Sequence, residues 1–410
     1  MPDQLTNGSR PDQEAPDAGA ESQYSTLSLF PELEQDLRTF YTTGLVPYQE
    51  IKAMIDAGYL RAAEPIRESQ LQPASIDLRL GPVAYEVRAS FLPTGSSRVI
   101  SKINELKVRT LDLTSPSRLE RGSVYLIPLL EELSLPANVL GKSNPKSTIG
   151  RLDVFTRLMT DYGSEFERVP KGYSGALYLE VAPRTFSIVV HAGSTLNQLR
   201  FVRGNPAPSD TTLATLHQNE TLVYDQNGVP GRAVISKGLW VSVDLAGRTG
   251  AEIVGYRGRK DAPSIDLDKI NHYDPAACWE EIVSPSRQEI ILVPGEFYIL
   301  ASKEKVRVPP THAAEMVAYD PSVGEFRLHY AGFFDPGFGY GSDDVMGTRA
   351  VLEVRSHEVP FLLQHGQRVG RLIYERLLSV PEKIYGRAIG SSYQGQELAL
   401  SKQFRRTQPV

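Results

Sequence analysis

At 410 residues the chain exceeds the size at which a single hydrophobic core stops growing, so two domains with extensions are expected. A net charge of -5 argues against a protein that holds nucleic acid chiefly by phosphate neutralisation, and no run of about 18 apolar residues offers a membrane span. The lone cysteine, Cys278, permits no internal disulfide, and the N-terminus lacks the basic-then-apolar build of a secretory signal, which together predict a cytoplasmic protein.

In chain order, residues 1–26 are polar and rich in Pro, Gly and Asp, the composition of a disordered leader. "PYQEIKAMIDAGYL" from Pro47 places Ile51, Met54 and Ile55 at helical spacing, with a glycine near the expected stop. The period then changes to two. "SIDLRLG" (75–81), "SVYLIPL" (123–129), "ALYLEV" (176–181) and "FSIVVHAG" (186–193) are short alternating or β-branched runs separated by Gly and Pro, the pattern of a sandwich or barrel. The charged stretch "YRGRKDAPSIDLDK" (256–269) reads as a surface loop.

Comparison of the chain with itself adds more than any single motif. "ASIDLRLG" (74–81) matches "VSVDLAG" (241–247), "RGSVYLIPLLEELSLP" (121–136) matches "PGEFYILASKEKVRVP" (294–309), "ALYLEV" matches "AVLEV" (350–354), and "HAGSTLNQLRF" (191–201) matches "QHGQRVGRLIY" (364–374). The matches keep one order at nearly constant offset. They predict a duplicated all-β domain, copy 1 over 27–205 and copy 2 over 206–410, with the helix-like "TTLATLHQNETLVY" (211–224) opening the second copy.

One turn differs between the copies. Residues 331–339 read "AGFFDPGFG", whereas 168–175 read "RVPKGYSG", in which Pro170 stands where the second copy has Asp335. With "QPASIDLRLG", "KSTIGR" (146–151), "VLEV" and the tail "YGRAIGSSYQGQ" (385–396), these residues resemble the dCTP deaminase branch of the dUTPase superfamily, in its tandem, double-length bacterial form. The resemblance covers almost everything after the leader and implies two dUTPase-like β-clip domains, distorted jelly-roll barrels with a few short helices. It also implies a site shared between neighbouring lobes: a basic Ser-Ser-x-x-Arg loop for the triphosphate from one, and the D-P-G aspartate, a strand glutamate and a closing tail from the other.

Carried over residue by residue, the phosphate loop is Lys146, Ser147, Thr148 and Arg151, with Lys and Thr replacing the commoner Arg and Ser. The corresponding copy-2 stretch, "DPSVGE" (320–325), puts Pro321 and Glu325 at the serine and arginine positions. Reversing a unit charge beside a polyanion turns attraction into repulsion of about 1 kcal/mol per phosphate charge at ~4 Å in water and about 4 in a partly buried site. Copy 1 thus keeps only the phosphate loop, and copy 2 only the aspartate. A D-P-G tripeptide alone is usually just a turn; the complementary losses argue instead for one surviving composite site.

The resemblance gives Glu353 the chemistry, with Ser147 and Arg151 orienting water, and puts Asp335, Phe338, Val351 and Leu352 at substrate-contacting positions. Replacing the 4-amino group of cytosine by oxygen needs an activated water, a proton for N3 and a donor for the departing ammonia, which one carboxylate can shuttle. Zinc deaminases carry H-x-E and P-C-x-x-C ligands; this chain has neither motif, so no zinc or other protein-held metal is expected, only Mg²⁺ accompanying the triphosphate. A Glu on an alternating strand is otherwise ordinarily solvent-facing, the reading given to its copy-1 counterpart Glu180. In the tail, Tyr385 and Gln396 match the family's lid, but Ser392 stands where a lysine is expected, with Arg387 and Lys402 as substitutes.

The expected function is deamination of dCTP to dUTP by a homo-oligomer. A dUTPase or bifunctional enzyme of the same fold, and a non-catalytic nucleotide-binding module, stay open as alternatives.

Overall fold

A computed structural model describes residues 42–247, 252–317, 326–328, 332–340, 346–356, 358–386 and 393–406. The proposed leader, the copy-2 stretch 320–325, Arg387 and Ser392 lie outside them.

The period-two runs form strands, and the strands repeat. In the first half the nine principal strands are β1 (Ile76–Arg79), β2 (Val83–Val87), β3 (Lys107–Asp112), β4 (Val124–Ser134), β5 (Val139–Pro145), β6 (Val154–Thr160), β7 (Arg168–Val169), β8 (Ser174–Pro183) and β9 (Thr195–Arg203). In the second they are β10 (Leu239–Ser242), β11 (Ile253–Gly258), β12 (Trp279–Val283), β13 (Phe297–Val306), β14 (His312–Met316), β15 (Phe326–Leu328), β16 (Phe333–Phe334), β17 (Thr348–Ser356) and β18 (Arg368–Arg376). One sheet of the first half runs β3-β2-β4-β8-β6, and its counterpart runs β12-β11-β13-β17-β15. The other joins β1, β9, β5 and β7 in that order, as β10, β18, β14 and β16 join in the second half. The fold is mostly β and tandem, as the internal matches require.

Both expected helices form. Tyr48–Asp56 starts after Pro47, whose fixed φ suits a helix start, and buries Tyr48, Ile51 and Met54 against the first core. Asp210–Glu220 opens the second half, its first turn capped by the Ser209 hydroxyl, which accepts from Thr212 N at 3.3 Å.

The two halves are not packed as separate beads. Trp279, Phe297, Ile299 and Phe404 belong to the first half's core, where Trp279 meets Phe186 edge-on at 5.1 Å and Phe404 at 5.9 Å. Truncating an aromatic in such a cluster costs roughly 3–5 kcal/mol, so this seam strongly fixes the lobes. The surface-loop reading of 256–269 is corrected here: residues to Gly258 belong to β11, and Ile265 is fully buried, with Ile265–Asp266 adding in parallel to Ile188–Val189 of the first half. Its charged residues disguised an interlobe strand. No described helix is long and apolar enough to cross a membrane.

Candidate active site

A cavity of about 290 Å³ opens between the lobes and is lined from both. From the first half, β5 ends at Pro145 and the chain makes a single helical turn, Ser147–Gly150. Lys146 precedes the turn, its ammonium donating to Asp77 Oδ2 at 2.5 Å and to Thr195 Oγ1 at 2.9 Å. Thr148 and Ile149 are buried, which anchors the loop, while Lys146, Ser147, Thr148 and Arg151 all line the cavity.

From the second half, β17 crosses the cavity floor. Residues Thr348–Ser356 are buried along its whole length because its two faces are both covered: Ala350, Leu352 and Val354 fill the second core, while Val351 and Glu353 face the cavity. The solvent-facing alternative for Glu353 therefore fails. Its Oε1 lies 3.9 Å from Arg151 Nε of the first half, and burial, only partly offset by that guanidinium, pushes its pKa up to about 8. Leu352 does not line the cavity; its side chain packs in the core.

The two matching turns keep the same hydrogen bond, Phe338 N to Asp335 O at 3.0 Å and Tyr173 N to Pro170 O at 3.2 Å. Gly337 has φ +94, and a Cβ there would meet Ile384 and Tyr385 at 3.0 Å, so the intact turn requires glycine. Asp335 lines the cavity, as does Phe338, which packs edge-on against Phe334 at 5.0 Å and leans on Tyr385 at 5.6 Å. Burial raises the Asp335 pKa, opposed by Arg200, whose Nη2 donates to Oδ1 at 3.0 Å.

Comparisons with known proteins identify the family of both halves. Residues 42–205 match the model of the 2'-deoxycytidine 5'-triphosphate deaminase N-terminal domain, and 209–404 match that of its C-terminal domain. The chain belongs to the dCTP deaminase family. A dUMP-forming dCTP deaminase of Halobacterium salinarum is 31% identical over 160 residues, covering 38% of this chain and 75% of that protein. One from Corynebacterium diphtheriae is 32% identical over 137 residues, covering 31% and 68%. The crystal structure of the 2'-deoxycytidine 5'-triphosphate deaminase from Agrobacterium tumefaciens superposes with a TM-score of 0.77 at 48% identity, covering 82% of this chain and all of that one.

In this dCTP deaminase family member residues 393–406 of the C-terminal segment pack against the first half. Gln396 Oε1 accepts from Arg151 Nη2 at 2.9 Å, Ala399 O accepts from Nη1 at 3.0 Å, and Tyr393 stacks under the guanidinium at 3.7 Å while its hydroxyl meets Thr148 Oγ1 at 2.9 Å. Tyr385 lines the cavity too, its hydroxyl accepting from Tyr393 N at 3.3 Å. Arg151 Nε makes no hydrogen bond among the described residues. Lys402 also faces the cavity, and both burial and Lys146 lower its pKa. Among the described residues, no three His, Cys, Asp or Glu side chains form a group that could hold a metal ion.

The reciprocal positions look different. Glu180 is 1% exposed, which corrects its solvent-facing reading: it sits cross-strand from Arg157, whose Nε donates to it at 2.9 Å. Pro170 offers no carboxylate.

Sequence reasoning missed Arg200, Asp77 and Tyr393. The signal for the first two was present, since "QLRFV" and "SIDLRL" each put a charge inside a strand otherwise fit for burial, and a buried charge needs a partner.

Proposed function

We propose that the chain hydrolyses dCTP to dUTP and ammonia in the composite cavity, with Glu353 moving the protons. Water attacks C4 of the cytosine, giving up one proton to Glu353, which passes it to N3; Glu353 then carries the remaining hydroxyl proton of the tetrahedral adduct to N4, the C4–N4 bond breaks as the C4 carbonyl forms, and ammonia leaves. Arg151 and Ser147 orient the water. The observation that carries this reading is the buried Glu353 3.9 Å from Arg151 Nε, which makes no hydrogen bond among the described residues, a spacing at which one water about 2.8 Å from each would satisfy both groups.

The remaining roles are those the family resemblance implies, supported by the residues that line the cavity. Lys146, Ser147, Thr148 and Arg151 take the triphosphate; Asp335 accepts from the sugar hydroxyl; Phe338 packs against the sugar; Val351 and the backbone at Leu352 border the base; Tyr385 and Gln396 close the lid. Lys402 supplies the cation that the family places at the Ser392 position. Magnesium is assigned to the substrate, as counter-ion of the phosphates, because Asp77 is bonded to Lys146 and Asp335 to Arg200, leaving phosphate oxygens and water to hold the ion. The proposal includes copy boundaries at 27–205 and 206–410, a cytoplasmic location, consistent with the free, buried Cys278, and self-association into a homo-oligomer.

A second reading is favoured by the names of the relatives, which are dUMP-forming. In it a second water attacks the α-phosphate of dUTP, releasing pyrophosphate, with Asp335 helping to activate that water. Incubation with dCTP and with dUTP separately, with and without Mg²⁺, followed by chromatography, tests both. Accumulating dUTP with no attack on added dUTP supports the first; dUMP and pyrophosphate from either nucleotide support the second; bound but unchanged dCTP overturns both.

A further inference from the structure

Two residues beyond the Arg151–Glu353 pair, on the same two segments, the lobes meet again with the charges exchanged. Asp153 follows Arg151 in the first half, and Arg355 follows Glu353 on β17. Alternation along a strand puts Glu353 and Arg355 on one face. Asp153 is fully buried and Arg355 nearly so. Arg355 Nε donates to Asp153 Oδ2 at 3.1 Å, and Nη2 donates to the same oxygen and, at 3.0 Å, to Thr185 Oγ1. Thr185 Oγ1 in turn donates to Asp153 Oδ2 at 2.6 Å, and Arg355 Nη1 donates to Gly295 O at 2.6 Å. The pair is thus a forked, fully bonded contact between the lobes.

Asp153 has φ +54, a left-handed conformation that Asp adopts more readily than most residues, held by Asp153 N to Gly150 O at 2.9 Å and Arg184 N to Asp153 O at 2.9 Å. A buried ion pair adds little net stability compared with well-packed apolar side chains, because both charges lose their water. What it does fix is geometry, since a guanidinium donating through two nitrogens holds a carboxylate in only a narrow range of distances and angles.

We propose that Asp153 and Arg355 are a positioning pair for the reaction: their contact sets the register of β17 against the phosphate loop and so holds Glu353 at its working distance from Arg151. The inference rests on the reading of that pair as the reacting machinery. Neither residue lines the nucleotide cavity, so neither touches substrate.

The test compares Arg355→Lys, Asp153→Asn and Thr185→Val with wild type, measuring kcat and KM for dCTP on folded protein. Misplacing a reacting group by about 1 Å can lower a rate roughly 100-fold. The expected result is a roughly 10- to 100-fold fall in kcat for Arg355→Lys and Asp153→Asn, with KM within about 3-fold of wild type. Lysine keeps the charge and loses the fork, so a purely stabilising role would let it restore turnover; kcat within 2-fold of wild type, or a loss confined to KM, would overturn the proposal. Should Asp153→Asn fail to fold, Thr185→Val, which removes one hydroxyl at nearly constant shape, carries the test, and an unchanged kcat there overturns it. Wild type turning over no dCTP would fail the functional reading instead; the pair is then judged by the crystal structure of Arg355→Lys, where an unaltered Arg151–Glu353 separation would count against it.

Discussion

Arg200 of the first lobe and Asp335 of the second form a buried ion pair, with the guanidinium fully enclosed and donating also to the carbonyls of Ala314 and Phe334 at 3.0 Å each. The guanidinium's central carbon sits 3.9 Å from the centre of the Phe333 ring. The first lobe therefore supplies more than the Lys146–Arg151 loop: it holds the aspartate of its neighbour.

Arg200→Met should leave Asp335 buried beside its cavity without a partner. The carboxyl pKa then rises further, the group becomes neutral, and its acceptor role weakens. Removing one member of a buried pair costs about 3–5 kcal/mol, so denaturant melts should show a large loss of stability, and KM for dCTP should rise at least about 10-fold in whatever remains folded. An unchanged KM would mean that Asp335 does not read the sugar.

Glu353→Gln keeps shape but cannot take a proton, so turnover should fall about 100- to 10,000-fold while dCTP still binds. Glu180→Gln should leave turnover close to wild type and lower stability by about 1–3 kcal/mol, because it weakens the buried pair with Arg157. Kinetics and denaturant melts on the two variants separate these outcomes; equal loss of activity in both would contradict the choice of copy.

The raised pKa of Glu353 has a sign that can be checked. In the unfolded chain the group titrates near 4.5, in the folded chain near 8. Between these values the folded chain holds the extra proton, so stability from this group is fully present below about pH 4.5 and is lost as pH rises towards 8. Glu353→Gln removes the dependence. Its stability relative to wild type should therefore increase from pH 5 to pH 9, by up to a few kcal/mol, in urea melts run across that range. As a general base Glu353 acts ionised, so kcat/KM should climb with pH and level off above about 8.

The duplication was legible because alternation, turn glycines and constant offset survive sequence drift; the equivalence of the two turns, down to Asp335 against Pro170, could be read directly. The convergence of Lys146, Ser147, Thr148 and Arg151 with Asp335, Phe338 and Glu353 was implied only by the family resemblance, and these residues do line one cavity. What could not be read was the partner that each buried charge meets. Glu180 and Glu353 occupy the same strand position, yet one faces Arg157 within its own sheet and the other faces Arg151 across the lobe boundary, a difference set by packing between segments more than 150 residues apart. Arg200 and Tyr393 were missed for the same reason, their partners being remote in sequence. The strand at Ile265–Asp266 was hidden by its short length and charged flanks.

The central claim is that one chain holds one complete site. Arg151→Ala and Glu353→Ala, each inactive alone, are mixed under conditions that allow subunit exchange, with exchange followed by co-purification of differently tagged chains, and dCTP turnover is measured. Because Arg151 and Glu353 meet within the same chain, every site in the mixture lacks one of them, and the mixture should stay inactive. Recovery to a substantial fraction of wild-type turnover would mean that the loop of one chain serves the Glu353 of another, and would contradict the intrachain site.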